Sequence, residues 1–361
     1  MRENNSVYIV TGAAGHLGSY VVKELLARGE EVRALVLPKE HVPPFVVVNR
    51  HNLREYEGNV CKPETLLPLF NNFEGKDLYV IHCAGIVAIT KKADKKIRAV
   101  NVFGTSNIIA ACKENHVKRL LYVSSVHAIP GLPRGEITKE ITHFDPDNVM
   151  GYYDKTKAEA TQLVLDAAKE GLDALVVHPS GIIGPNGLPT GNMAQLITLY
   201  LNKKLPVAIK GGFDFVDVRD VARGIVQACR KGRKGECYIL SNRYVELEEL
   251  FTLLAEISGR KKIRVYIPLW VAKAFAPLAE LHYKATHQTP VFTGYSIYTV
   301  SQGTAFSHQK ATEEFGYQTR PLKESLTDIA AWIKESRRSP EAAKDKKRVA
   351  SKKAKKIRTK V

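Results

Sequence analysis

Residues 7–18 restrict the fold of this chain more than any other stretch. Val7-Tyr8-Ile9-Val10 is a short apolar run that enters Thr11-Gly12-Ala13-Ala14-Gly15-His16-Leu17-Gly18. Beyond it Leu17, Tyr20, Val21 and Leu25 recur at helical spacing as far as Gly29. The apolar run reads as a strand buried on both faces, and the glycine turn hands it to a helix. Gly12 permits the tight reversal, Gly15 lets backbone N–H groups approach a pyrophosphate, and Gly18 allows close helix–strand packing. The helix N-terminus adds partial positive charge. Such glycine patterns are common alone; between a strand and a helix this one predicts dinucleotide binding.

The rest of the chain repeats the alternation. Strands are predicted at Val32–Leu37, Leu78–His82, Arg119–Val123 and Ala174–His178. Helices are predicted at Thr65–Phe70, Val100–Lys113 and Lys155–Lys169. Strands alternating with helices imply a parallel sheet covered on both faces, an α/β chain with a Rossmann doubly wound sheet. After residue 180 the pattern turns irregular, with Gly and Pro clustered at 181–191 and helices expected at Glu246–Ile257, around Trp270–His282 and at Lys323–Ser336. The expected organisation is a dinucleotide-binding domain over 1–180, with some later segments returning to it. A smaller C-terminal α+β substrate lobe follows over 181–336, then a basic disordered tail over 337–361.

Composition bounds the remaining classes. With 44% hydrophobic and 25% charged residues in 361, the chain can bury a sizeable core, and collagen-like, mucin-like and wholly disordered readings fall away. Its five cysteines include no CxxC pair, so neither a disulfide framework nor a metal site is expected. The N-terminus has no signal-like segment and no run of apolar residues is long enough to span a membrane, so a cytoplasmic protein without a transmembrane segment is expected. Of the +17 net charge, the tail carries +10, from 12 Lys or Arg against Glu341 and Asp345. That tail is expected to bind anionic surfaces weakly. It lacks the aromatic interleaving of a specific nucleic-acid binder.

The end of the second strand discriminates between cofactors. NAD sites place an acid there, whereas NADP sites accept a base. Here Arg33 and Lys39 flank a stretch without an acid. NADP is therefore slightly favoured over NAD, with Arg33 and Lys39 either contacts to the 2′-phosphate or plain solvated surface charges. Asn59, before Val60, is expected at the adenine or else simply in a turn.

Tyr153 and Lys157 lie four residues apart and share a face if helical. A nearby cation favours phenolate, which would make Tyr153 a general acid/base near neutral pH. Ser124-Ser125 ends a strand, where ligand-facing residues of a parallel sheet gather.

Taken together, these residues resemble the extended short-chain dehydrogenase/reductases, the NAD-dependent epimerase/dehydratase family. The resemblance rests on Thr11–Gly18, His82-Cys-Ala-Gly85, Asn101-Val-Phe-Gly-Thr105, Ser124-Ser125, Tyr153 with Lys157, His178–Pro185 and Phe215–Ala222, in order over residues 7–222. It implies that Gly12, Gly15 and Gly18 cradle the pyrophosphate, with main-chain contacts from His16 and Leu17. Asn59 and Val60 lie toward the adenine, and Ala84 and Gly85 line the adenine–ribose side. Pro179 and Ser180 flank the nicotinamide. It further implies that Tyr153 exchanges a proton with the substrate oxygen, that Lys157 holds the ribose and lowers the tyrosine pKa, and that Ser125 hydrogen-bonds the reacting carbonyl. Two helices of such a fold often pair related enzymes into homodimers, so a homodimer is one reading, with the oligomeric state left open by the sequence.

Within the family, dehydratases need an Asp-Glu pair after the catalytic hydroxyl, where this chain has Val126 and His127. Epimerases tend to carry Arg, Tyr, Phe and Asn around 178, where it has His178-Pro179-Ser180. The pattern is closer to dihydroflavonol reductase-like and 3β-hydroxysteroid dehydrogenase-like members, which interconvert a ketone and a secondary alcohol by hydride transfer. A sugar-nucleotide epimerase is the second reading, and a non-catalytic NAD(P)-sensing protein the third. His127 and Met193 are candidate substrate contacts. Met193, Leu196, Phe213, Phe215, Trp270, Phe275 and Phe292 would suit an apolar, ring-shaped substrate, although the plainer reading is that they fill the lobe's core.

Overall fold

A computed structural model describes residues 5–46, 50–73, 75–88, 93–133, 135–187, 192–276 and 294–336. The basic tail, Phe292 and the part of the Trp270–His282 helix beyond 276 lie outside these residues. In chain order the first half contains β1 (Ser6–Thr11), α1 (His16–Ala27), β2 (Glu31–Val36), β3 (Leu53–Glu57), β4 (Asp77–His82), α2 (Lys95–Arg98), α3 (Gly104–Glu114), β5 (Arg119–Val123), β6 (Ile137–Thr138), α4 (Tyr152–Lys169) and β7 (Ala174–Pro179). The second half contains β8 (Gly181–Ile183), α5 (Asn192–Leu201), β9 (Ala208–Ile209), β10 (Gly212–Asp217), α6 (Val218–Lys231), β11 (Cys237–Leu240), β12 (Arg243–Glu246), α7 (Leu247–Ser258) and β13 (Tyr266–Ile267), then α8 (269–276), α9 (Gly294–Gln302), β14 (Ala305–Phe306), α10 (Gln309–Phe315) and α11 (Leu322–Ser336).

The main sheet runs β3-β2-β1-β4-β5-β7-β11, and every pairing is parallel. Its strands read as continuous apolar runs because both faces are covered. In β1, Val7 and Ile9 enter the core beneath α3 and α4, while Tyr8 and Val10 enter the core beneath α1, α6 and α10. The strand order proceeds from β1 toward β3 and then resumes with β4 on the other side of β1. At that reversal the carboxyl ends of two strands splay their connections apart, leaving a crevice. Thr11 and His82, register partners at the ends of β1 and β4, form its floor.

The lobe has its own core, built by α5, α7 and α11 around the three-stranded sheet β12-β10-β8. It is interleaved with the main sheet rather than appended, because α6 packs against α1 and β11 closes the sheet edge, both after residue 181.

Three segments differ from the sequence reading. Residues 65–70 form no α-helix; short 3₁₀ turns occupy Pro63–Thr65 and Leu67–Phe70. Pro68 lacks an N–H and its ring opposes the preceding turn, which rules out a continuous helix. The helix expected from Val100 begins at Lys95 and passes through a π turn, Ala99–Phe103, before α3. Strand β3 is absent from the sequence reading because its residues, Leu53-Arg54-Glu55-Tyr56-Glu57, are mostly polar, as suits an edge strand protected from further pairing.

Candidate active site

The glycine turn is a close-packed backbone crossing. Gly12 has φ +66°, and a Cβ there would lie 2.8 Å from Ala84 Cα. A Cβ on Gly18 would lie 2.1 Å from the Gly12 carbonyl oxygen. Gly15 precedes α1 without a side-chain cap, and the first turn of α1 holds no acid. The leading N–H groups of α1 are therefore left to an anion, and the bare crossing admits backbone approach. This donor set fits the pyrophosphate of a dinucleotide. The His16 ring is engaged elsewhere, with Nε2 donating to the Pro185 carbonyl (3.0 Å). Leu17 packs its side chain into the core beneath α1.

Beneath the turn lies a buried polar chain. Ala84 N–H donates to Thr11 Oγ1 (3.1 Å), and because Thr105 gives its proton to the Asn101 carbonyl, neutral His82 must donate through Nε2 and accept the Thr11 hydroxyl at Nδ1 (2.7 Å). His82 Nε2–H then donates to Thr105 Oγ1 (3.1 Å), and Thr105 donates to the Asn101 carbonyl (2.7 Å). Burial pushes the His82 pKa down to about 3, which keeps the ring neutral as this chain requires. Asn101, inside the π turn, accepts from Ile86 N–H (2.8 Å) and donates to the Ile86 carbonyl (3.0 Å) and Thr156 Oγ1 (3.1 Å). One side chain thus ties the loop after β4 to α4.

Helix α4 carries Tyr153 in its first turn and Lys157 in its second, both buried. Asp154 accepts the Gly151 N–H (3.0 Å) and secures the start of the helix. Ser125 caps a 3₁₀ turn over Val126–Ala128, its Oγ accepting from His127 N–H (3.2 Å), and it lowers the pKa of the Tyr153 phenol. Ser124 is spent elsewhere, on Thr161 Oγ1 (2.7 Å). His178 Nδ1–H holds the Ser125 carbonyl (3.0 Å) while Phe144 stacks on the imidazole (5.1 Å). Burial pulls the His178 pKa down to about 4.

The pKa relation between Tyr153 and Lys157 differs from the expected one. Burial pushes the phenol well above its usual range, only partly offset by Ser125. Lys157 Nζ points instead to the Val123 carbonyl (2.8 Å) and Tyr122 Oη (3.1 Å). Burial also lowers the ammonium pKa to about 7. Turned toward β5, with burial disfavouring its charged form, the lysine does not offset the effect of burial on the phenol.

A second expectation is corrected at β2. Arg33 is buried, and its guanidinium donates to the carbonyls of Leu69 (2.6 Å), Asn71 (2.5 Å) and Asn72 (2.7 Å). It braces the Leu67–Phe70 turn and the residues just after it, and has no reach to a 2′-phosphate. Lys39 is exposed at the β2 end, and its N–H donates to Glu57 Oε1 (3.2 Å) at the end of β3. Asn59 sits in a turn, where its Oδ1 accepts from Cys61 N–H (2.9 Å). Val60 is buried and its carbonyl accepts from Asn107 (2.8 Å). A Cβ on Gly85 would lie 3.4 Å from both Asn101 Oδ1 and Lys157 Nζ, so the loop after β4 runs directly over the lysine. Pro179 ends β7, and the buried Ser180 hydroxyl lies beside Asp214.

Next to Tyr153 a cavity of about 140 Å³ opens between the sheet and the lobe. Its walls include His127, Asp154, Phe213, Asp214, Tyr298 and Phe306. His127 stands edge-on to Tyr153 (6.2 Å between ring centres), with Nδ1 3.7 Å from Asp154 Oδ1. Met193 is not among the described lining residues; it packs on the lobe core. The sequence reading assigned no role to Asn101, His178, Tyr122 or Asp214. Asn101 and His178 were at least marked by the motifs that contain them; Tyr122 and Asp214 carried no signal, because their roles come from neighbours distant in the chain. Among the described residues no group of three or more His, Cys, Asp or Glu side chains could hold a metal ion, and no helix is long and apolar enough to cross a membrane.

Residues 8–241 match the family described as the NAD-dependent epimerase/dehydratase family. The chain belongs to that family. It is an oxidoreductase of the extended short-chain dehydrogenase/reductase group. A Synechocystis protein provisionally named a dihydroflavonol 4-reductase is 27% identical over 336 residues, covering 90% of this chain and 94% of that one. A Stigmatella aurantiaca protein, named 4-hydroxy-2-methyl-3-oxo-4-farnesyl-3,4-dihydroquinoline-1-oxide ketoreductase, is 30% identical over 317 residues, covering 86% and 91%. The solved structure of a Thermotoga maritima UDP-glucose 4-epimerase superposes with a TM-score of 0.71 at 23% identity over 92% of this chain and 99% of that one, a likeness of fold.

Proposed function

We propose that this enzyme interconverts a ketone and a secondary alcohol on an apolar ring, with Tyr153 exchanging the proton. The observation that carries the reading is the buried set of Ser125, Tyr153 and Lys157, whose chain neighbours Val126 and Asp154 line the cavity. Bound in the crevice, the nicotinamide dinucleotide would supply or accept the hydride at the carbonyl carbon. For reduction, Ser125 orients the carbonyl oxygen and Tyr153 gives its proton to the alkoxide that develops there. The raised phenol pKa keeps that proton in place until it is needed. His178 fixes Ser125 through its backbone, and Asn101 fixes α4 against the loop over Lys157.

Gly12, Gly15 and Gly18, the main chain of His16 and Leu17, Asn59 and the loop at Ala84–Gly85 are the residues that would hold the cofactor. With Arg33 occupied and Glu57 beside Lys39, an added 2′-phosphate would meet one cation and one carboxylate. NAD(H) is therefore favoured, against the preference drawn from the sequence. The cavity lining supports a neutral substrate. Among the described residues it holds Asp154 and Asp214 and no Lys or Arg, an unsuitable wall for the diphosphate of a nucleotide sugar. The two relatives, whose names denote reductases of ring ketones, point the same way.

The test is nicotinamide absorbance during turnover of a panel of flavanonols, steroid ketones and nucleotide sugars. Tyr153→Phe is expected to lower kcat on the accepted ketone by about 10²–10⁴-fold while cofactor binding is retained. Turnover of a nucleotide sugar without net absorbance change would support an epimerase. Cofactor binding without turnover of any substrate, indifferent to Tyr153→Phe, would support a sensor.

A further inference from the structure

Residues 259–276 of the lobe have two unlike faces. The stretch Gly-Arg-Lys-Lys-Ile-Arg-Val-Tyr-Ile-Pro-Leu-Trp-Val-Ala-Lys-Ala-Phe-Ala holds five Lys or Arg and no acid. Its inner face is anchored. Ile263 is buried, Tyr266, Ile267, Leu269 and Ala272 pack on the lobe core, and β13 pairs with β9. Ala208 N–H and Lys210 N–H donate to the Val265 and Ile267 carbonyls (both 3.1 Å), and Tyr200 Oη donates to the Lys261 carbonyl (3.2 Å). Its outer face is apolar and cationic. Trp270 is 74% exposed, Phe275 61% and Val265 55%. Arg260, Lys261, Lys262, Arg264 and Lys273 form no ion pair with a described residue, whereas Arg243 and Lys323 nearby pair with Glu249 and Glu256.

We propose that this face docks on an anionic lipid bilayer, with Trp270 and Phe275 entering the interfacial layer and the five cations meeting the headgroups. Rigid aromatic tips surrounded by unpaired cations match the polarity profile of a bilayer surface, where indole rings settle at headgroup level and each cation near the surface adds attraction. Because β13 and the inner contacts already hold the segment, docking requires little ordering. The face is separate from the cavity beside Tyr153, and the proposal does not depend on the ketone reading.

The test uses the full chain with vesicles of phosphatidylcholine, with and without phosphatidylserine. The chain has two tryptophans, and Trp332 packs on the lobe core, so a Trp332→Phe variant leaves Trp270 as the reporter. The expected result is a blue shift of Trp270 emission on anionic vesicles, with quenching by lipids brominated in their acyl chains. Lys261→Ala and Lys262→Ala should each weaken binding about five-fold. Phe275→Ser should reduce the bound fraction at an unchanged melting temperature. The basic tail can also hold the chain on anionic vesicles. Sedimentation without a Trp270 shift, binding indifferent to these variants, or no binding to either vesicle would each overturn the proposal.

Discussion

By its chemistry Arg33 is a phosphate ligand, and by its surroundings it is a brace. Its three carbonyl partners come from Leu69 within the Leu67–Phe70 turn and from Asn71 and Asn72 just after it, 36 to 39 residues away, a relation that no local pattern encodes. Arg33→Met should therefore cost about 2–4 kcal/mol of stability by stranding those carbonyls, while the NAD-to-NADP preference stays unchanged. Urea melts and paired binding titrations check both halves. Buried histidines set the response to acid. His82 and His178 have native pKa values of about 3 and 4, below the ordinary 6.5, so between those values and 6.5 the unfolded chain binds more protons. Stability then falls as pH drops through that window. Asp214 acts oppositely. Burial raises its native pKa to about 6, so stability from this group falls as pH rises from about 4 to 6. With two histidines against one aspartate, the melting temperature should decline from pH 7 to pH 5, and His178→Gln should flatten the decline. A flat profile for the parent chain would contradict the assigned burial.

Among the elements, those that are wholly buried were readable from the sequence. Strands β1, β4, β5 and β7 announce themselves as apolar runs because two layers of helices cover them. Strand β3 was not readable, since an edge strand has little apolar surface to declare. Nor was the π turn at Ala99–Phe103, because one inserted residue leaves the helical spacing nearly intact while setting Asn101 among its partners. The glycine turn lies between these cases. Its pattern predicted a dinucleotide cradle, but the reason Gly18 must lack a side chain is its distance to the Gly12 carbonyl. Gly18→Ala forces the turn and α1 apart and should cost about 1–3 kcal/mol of stability while weakening NAD(H) binding. Calorimetry of the variant tests this, with undiminished affinity as the contrary result.

For the whole molecule, saturating dinucleotide should raise the melting temperature by mass action, worth about 2.7 kcal/mol at a hundred times Kd. Run in parallel, NAD(H) should give a larger shift than NADP(H), reflecting Glu57 beside Lys39. No shift with any of the four would refute the cradle. The sequence by itself determined the α/β alternation, the glycine turn and the family, and it marked Ser124-Ser125, Tyr153 and Lys157 as candidates, because each is written in local spacing or in a contiguous motif. Tertiary structure alone decided which serine meets the tyrosine, where Lys157 points, what Arg33 holds and which side chains wall the cavity. Those outcomes depend on contacts between residues tens of positions apart. Burial, which governs the charge state of His82, Tyr153, Lys157 and His178, exists only once the layers have packed.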